Sequence, residues 1–189
     1  MPTVARTSRA ALLDAARRLL EQGGAEAVTM HAIARAEGIR APSLYKHFPD
    51  RAAVMEQLAL EGFAQLADRM TAAAGEPAPI FAMAHAYRDY ARESPERYLQ
   101  MLSAAASRRP SVDAARRQVA MPILDQLRPL VGALRALSVA RLLTAFLHGF
   151  VTMELAGAFR LGGDVEADFD AGVRMLHDLL ARIDHPDLP

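Results

Sequence analysis

Apolar residues recur along this chain at intervals of three and four, and the long alternations of Val, Ile and Thr that mark strands are missing. The pattern predicts an all-α protein. Thr7 or Ser8 can cap a first helix whose stripe is Leu12, Leu13, Ala16, Leu19 and Leu20. Gly23-Gly24 stops it, because glycine tolerates the left-handed turn at a helix C-terminus. Thr29 then caps a short helix with Ile33 and Ala34 inward, and Gly38 supplies the positive φ of a tight turn. A second short helix, over about residues 40–48, starts near Ala41-Pro42, where proline loses no hydrogen bond. It holds Leu44, Tyr45 and Phe48 and closes at Pro49-Asp50, from which a longer helix runs from about Arg51 to Ala73.

The prolines of Gly75-Glu76-Pro77-Ala78-Pro79 interrupt the helical pattern. Beyond them, helical runs are expected over 80–93, 96–107, 112–134, 138–159 and 166–183, divided at Ser94-Pro95, Arg109-Pro110, Leu137-Ser138 and Gly162-Gly163. Pro122 and Pro129 should kink or break the third of these. The expected organisation is a three-helix head over residues 1–60 joined to a larger helical domain over 61–189.

Apolar residues make up 52% of the 189, enough for a substantial core. The absence of cysteine removes disulfide scaffolds, thiol chemistry and the common zinc-finger sites. The opening MPTVARTSRAALLD has no long apolar segment, and no later stretch runs eighteen residues without a charge, so a cytoplasmic protein without a membrane partner is expected. Net charge is zero but unevenly placed: residues 1–51 hold eight basic residues against five acidic ones. A surplus of that size is common on solvated surfaces and says little until its position in the fold is considered.

Two short helices joined by a glycine turn within about twenty residues form a helix-turn-helix, whose second helix can enter the major groove, about 12 Å wide. The ordinary alternative is a plain helical corner. Side-chain character separates the two: Arg40, Ser43, Tyr45, Lys46 and His47 form a nearly unbroken set of donors, with no acid between Gly38 and Pro49 to repel phosphate. The tract VTMHAIARAEGIRAPSLYKHFPDRAAVMEQL resembles the DNA-binding head of the TetR family of bacterial regulators over about residues 7–60, through Leu44-Tyr45-Lys46-His47-Phe48-Pro49 followed by the basic Arg51. TAFLHGFVTMELAGAF is similar to the subgroup whose regulatory domain is named for a Trp-His-Gly motif; His148-Gly149 is present, the tryptophan is not.

DNA contacts follow by residue. Thr29 can offer its hydroxyl and the adjacent amides to a phosphate, or serve only as a cap. Tyr45, Lys46, His47 and Arg51 reach the sugar-phosphate chain, where contacts position rather than specify. Arg40, Ala41, Pro42 and Ser43 form the leading edge, Arg40 suited to guanine and Ala41 or Pro42 to a thymine methyl. Leu44 and Phe48 follow the inward spacing and read as core. Arg6 and Arg9 can reach phosphate or belong to a disordered charged end.

One small head gains specificity when two copies meet a pseudo-palindromic site, with reading helices about 34–36 Å apart in the simple case. The surface expected to pair them lies on the last two long helices, 138–159 and 166–183: Leu142, Leu143, Phe146, Leu147, Phe150, Met153 and Leu155, then Phe169, Val173, Leu176, Leu179, Leu180 and Ile183. Some of these must instead pack inside one subunit. The resemblance implies a four-helix dimer interface, and a ligand-responsive repressor on double-stranded operator DNA whose small-molecule effector binds among the middle helices. His85, Tyr87, Tyr90, Tyr98, Met101, Met121, Phe146 and His148 are candidate contacts for a largely apolar effector, with core packing or exposure as the alternative for each.

An activator or a protein-binding adaptor would use the same head, although an adaptor leaves the donor row unexplained. No GxSxG elbow, phosphate loop, HExxH pair or Rossmann glycine pattern occurs, and His148 and Glu154, six residues apart, point to different helix faces. No enzyme, catalytic residue, metal or cofactor is expected.

Overall fold

Ser8 opens the chain's first helix, α1 (Arg9–Ala27), with its hydroxyl oxygen accepting from the Ala11 N–H at 3.1 Å. The computed structural model describes residues 8–105 and 109–182; Arg6, Thr7 and Ile183 lie outside them, as does the side chain of Leu180. Helix α1 buries Leu12, Leu13, Ala15, Ala16 and Leu20, and its helical geometry breaks at Gly23 and Gly24, where Gly24 has φ 68°. A last turn then carries the chain to Ala27.

Helix α2 (Met30–Ala36) starts on Thr29, whose Oγ1 accepts from Ala32 N–H at 3.0 Å. It ends in a Schellman turn: Gly38, at φ 64°, donates to Arg35 O, and Ile39 donates to Ala34 O at 2.9 Å. Helix α3 (Ala41–Tyr45) is shorter than the expected 40–48, since Lys46 and His47 form only a turn that returns Phe48 N–H to Leu44 O. The Asp50 carboxylate accepts from Ala53 N–H at 2.8 Å and caps α4 (Arg51–Ala73). Leu12, Leu20, Val28, Ile33, Leu44, Phe48, Val54 and Leu58 join α1 to α4 in one core.

After the turn at Gly75–Ala78 come α5 (Pro79–Glu93), α6 (Pro95–Ala105), α7 (Pro110–Leu155) and α8 (Val165–Arg182), making eight helices and no strand among the described residues. The expected division at Leu137-Ser138 is absent: 110–155 is one helical run whose internal departure is Gly132, at φ 74° and ψ 157°. Leu-Ser gives the backbone no reason to leave the helix, whereas glycine reaches positive φ without a steric penalty. Pro122 and Pro129 both sit inside the run, and the departure falls three residues beyond the second.

Two compact units divide the chain: Met1–Phe63 with Ser94–Ala115, and Ala64–Glu93 with Arg116–Pro189. The first therefore contains α6 and the opening turns of α7 along with the head. There α6 packs on α1, Arg97 pairs with Glu21 at 3.3 Å, and the Gln100 amide donates to Met55 O at 3.4 Å. Desolvation pushes the Glu21 carboxyl above its ordinary pKa, more than the nearby Arg97 lowers it.

The second unit is centred on a buried arginine. Arg88, 1% exposed, donates from Nε and Nη2 to the two Glu154 oxygens at 2.9 and 2.7 Å, so that α5 is tied to α7. Its Nη1 lies 2.8 Å from Glu166 Oε1 on α8, out of line for a hydrogen bond, and its guanidinium sits 4.6 Å over the Phe169 ring. Phe146, Phe150 and Phe159 complete the aromatic cluster, with Phe146 stacked on Phe169 at 6.1 Å. Helix α8 approaches α7 so closely at Gly172 that a Cβ there would stand 2.4 Å from Phe146 Cζ.

Candidate nucleic-acid interface

Leu44 and Phe48, 0% and 1% exposed, hold the α3 segment down on the core, so its outward side is set by what lies between and around them. Arg40, Pro42, Ser43, Tyr45, Lys46 and His47 are exposed, and Ala41 is half-buried at the helix start. Thr29 is exposed as well; its oxygen serves the cap, and its hydroxyl hydrogen is not used by that bond.

Electrostatics distinguish this side from the rest of the head. On α1, Arg17 bonds Asp14 and Glu61, and Arg18 bonds Asp14 and Glu37, so their charge is largely neutralised locally. Arg40 and Lys46 have no ion pair among the described residues, nor does Arg35 on α2. The modest basic surplus of the N-terminal part is therefore concentrated around α3, where a phosphate backbone can meet it. Arg35 and His31 on α2 are exposed as well.

Two further cations, Arg9 and Arg51, make bonds within the head. Arg9 turns onto the head itself, its guanidinium 4.9 Å over the Phe48 ring and bonded to Gln57 at 3.1 Å. Arg51 donates from Nε to Val28 O at 2.7 Å and from Nη2 to Ala25 O at 2.6 Å, gripping the end of α1.

The effector candidates divide between the two units. Tyr98 and Met101 are buried in the unit that contains the head, while Tyr87 and Tyr90 are buried in the other, Tyr90 beneath Arg69. His85 lies 3.0 Å from Asp170 and edge-on to Phe169; Phe146 belongs to the aromatic cluster; His148 is half-buried, its carbonyl accepting from Thr152. An open groove of about 590 Å³ between α4 and α7 is lined by Asp68, Thr71, Gln118, Met121, Pro122 and Asp125 among others. Of the eight candidates, only Met121 reaches it.

A small helical head with an acid-free, outward-facing second helix defines a helix-turn-helix DNA-binding protein. Known proteins agree with that class. Residues 12–58 match the family described as bacterial regulatory proteins, tetR family, and residues 80–176 match a tetracyclin repressor-like C-terminal domain. The chain belongs to the TetR family, and is a DNA-binding transcriptional regulator, not an enzyme. It is 29% identical over 177 residues to the HTH-type transcriptional regulator YobS of Bacillus subtilis (strain 168), covering 86% of this chain and 87% of that one. It is 37% identical to the class D tetracycline repressor protein of Escherichia coli, over 73 residues that span 39% of this chain and 34% of that one. A solved structure from Rhodococcus sp. RHA1 superposes with a TM-score of 0.81 at 26% identity, over 96% of this chain and 100% of that one.

Proposed function

We propose that the protein is a ligand-responsive repressor that binds a pseudo-palindromic operator as a homodimer in the cytoplasm. The observation that carries this reading is the exposed, unpaired cationic side of α3, hung on the buried Leu44 and Phe48. Arg40, Ala41, Pro42 and Ser43 face base edges, and Thr29, Tyr45, Lys46 and His47 face the phosphate chain.

The dimer reading rests on apolar surface left uncovered in one chain. Of the residues expected to pair, Leu143, Leu147, Phe169 and Val173 are buried within the subunit, whereas Leu142, Met153 and Leu179 are 61%, 49% and 49% exposed. Leu134 and Met175 add to the same two helices at 98% and 67%. By length and composition α7 would pass for a membrane-crossing helix, yet only 33% of its most apolar 18-residue window is buried. A second copy laying its own α7 and α8 on this surface covers it, and brings a second reading helix to the duplex.

The test is binding to DNA from the region upstream of the protein's own gene. Affinity should fall steeply with salt, and Lys46→Ala should lower the slope of log K against log salt by about one. No shift at low salt would sink the reading. Leu142→Glu should yield a monomer in sedimentation; an unchanged dimer would place the interface elsewhere.

A further inference from the structure

We infer that Arg51 is a positioning residue, which aims the helix-turn-helix by clamping its base and makes no phosphate contact of its own. Val28 and Ala25 lie just past the break at Gly24, where α1 no longer supplies helical partners for its last carbonyls. Ala25 O accepts from Val28 N–H at 3.2 Å and from Arg51 Nη2 at 2.6 Å; Val28 O accepts from Arg51 Nε at 2.7 Å. Both arginine bonds are charge-assisted and short, and they place a cation at the negative end of a helix. The side chain is half-buried there, so a phosphate would have to draw it away from two carbonyls already in place.

The position of the clamp gives it a function. Val28 immediately precedes Thr29, where α2 begins, and Arg51 immediately follows Asp50, which caps α4. Everything that meets DNA in the head, from Thr29 to His47, is the loop between those two points. Arg51 closes that loop at its base and so fixes where α2 starts and how α3 is presented. A guanidinium suits the task because Nε and Nη2 form a rigid fork that can hold two carbonyls at once, while a lysine ammonium is a single point on a flexible stem.

The inference rests on α3 being the DNA-reading helix, and one set of titrations separates the two claims. The duplexes are one selected from a random pool by wild-type protein and a scrambled one of equal length. Failure of the wild type to bind either would overturn both the DNA reading and this inference; once the wild type binds, the variants decide Arg51 alone. Arg51→Lys and Arg51→Gln should each lose on the order of tenfold on the selected duplex and far less on the scrambled one, with the salt slope unchanged. A direct phosphate contact gives the opposite: Arg51→Lys close to wild type, and Arg51→Gln weaker on both duplexes with a slope lower by about one. Equal losses on both duplexes at unchanged slope, accompanied by a lower Tm, would reduce Arg51 to a stabilising residue and also overturn it. Hydrogen exchange supplies a second readout: the amides of α2 should exchange faster in Arg51→Lys while those of α8 do not.

Discussion

Removing Glu154 should unfold this protein more readily than removing Arg88, although the two form one ion pair. Arg88 is 1% exposed, and two of its nitrogens are committed to Glu154, whose side chain is 18% exposed. In Glu154→Leu, Nε and Nη2 lose both acceptors inside the aromatic cluster, and the remaining anion, Glu166, is 57% exposed and misaligned. An uncompensated buried charge of this kind costs about 3–5 kcal/mol. For a chain of this length that is a fall in Tm of roughly 6–20 °C. In Arg88→Met the orphaned carboxylate can reach water, and the cost should be about 2–3 kcal/mol. The double variant Arg88→Met with Glu154→Leu should recover most of the loss, because an apolar pair of similar volume replaces the ions. Glu166→Gln should cost less than about 1 kcal/mol. Urea unfolding followed by circular dichroism at one fixed protomer concentration measures all four. A Glu154→Leu loss below about 1 kcal/mol, or a double variant no better than the worse single one, would refute the assignment of Arg88 as a buried tie among α5, α7 and α8.

The same pair has a pH signature. The hydrogen bond from Arg88 holds the Glu154 carboxyl below its ordinary pKa, so its contribution is fully present above the unfolded value of about 4.5 and is lost as the pH falls through the lower folded value. The stability gap between wild type and Glu154→Gln should therefore narrow on acidification; a constant gap would contradict the shift. Gly172→Ala should cost about 1–3 kcal/mol by driving a methyl into Phe146, and a shared Gly172→Ala, Phe146→Leu variant should recover part of it in thermal melts. Gly38→Ala meets no neighbour within 4 Å, so its cost of about 1 kcal/mol should come from positive φ alone, and Gly38→Asn should be milder. Equal melting of the two variants would show that φ is not the cause.

What the sequence made legible here was local. Thr29, Gly38 and Asp50 announce helix starts and stops through chemistry within four residues of themselves, and the structure places each in that role. Leu44 and Phe48 were readable for the same reason, being spaced to one face of a short helix. Where partners are distant in sequence, the local pattern of residues is silent. Nothing around Arg51 announces Val28 and Ala25, 23 and 26 residues before it, and Arg88 is an ordinary charge until Glu154, 66 residues away, reaches it. The packing of α6 on α1 likewise depends on tertiary contacts that no periodicity records. The Leu137-Ser138 division is absent because neither residue has reason to leave the helix, whereas Gly132, five positions before Leu137, has the backbone freedom to do so.

The shortness of α3 bears on how such a regulator can change over generations. Its hold on the core is Leu44, followed by Phe48, and the side chains of Arg40, Pro42 and Ser43 make no hydrogen bond among the described residues. On the proposed DNA reading, foldability and operator preference are written on different letters of the same few residues. On that reading, drift at positions 40, 42 and 43 can retarget the protein to a new site after gene duplication without passing through an unfolded ancestor, whereas drift at 44 or 48 strikes the buried core of the head.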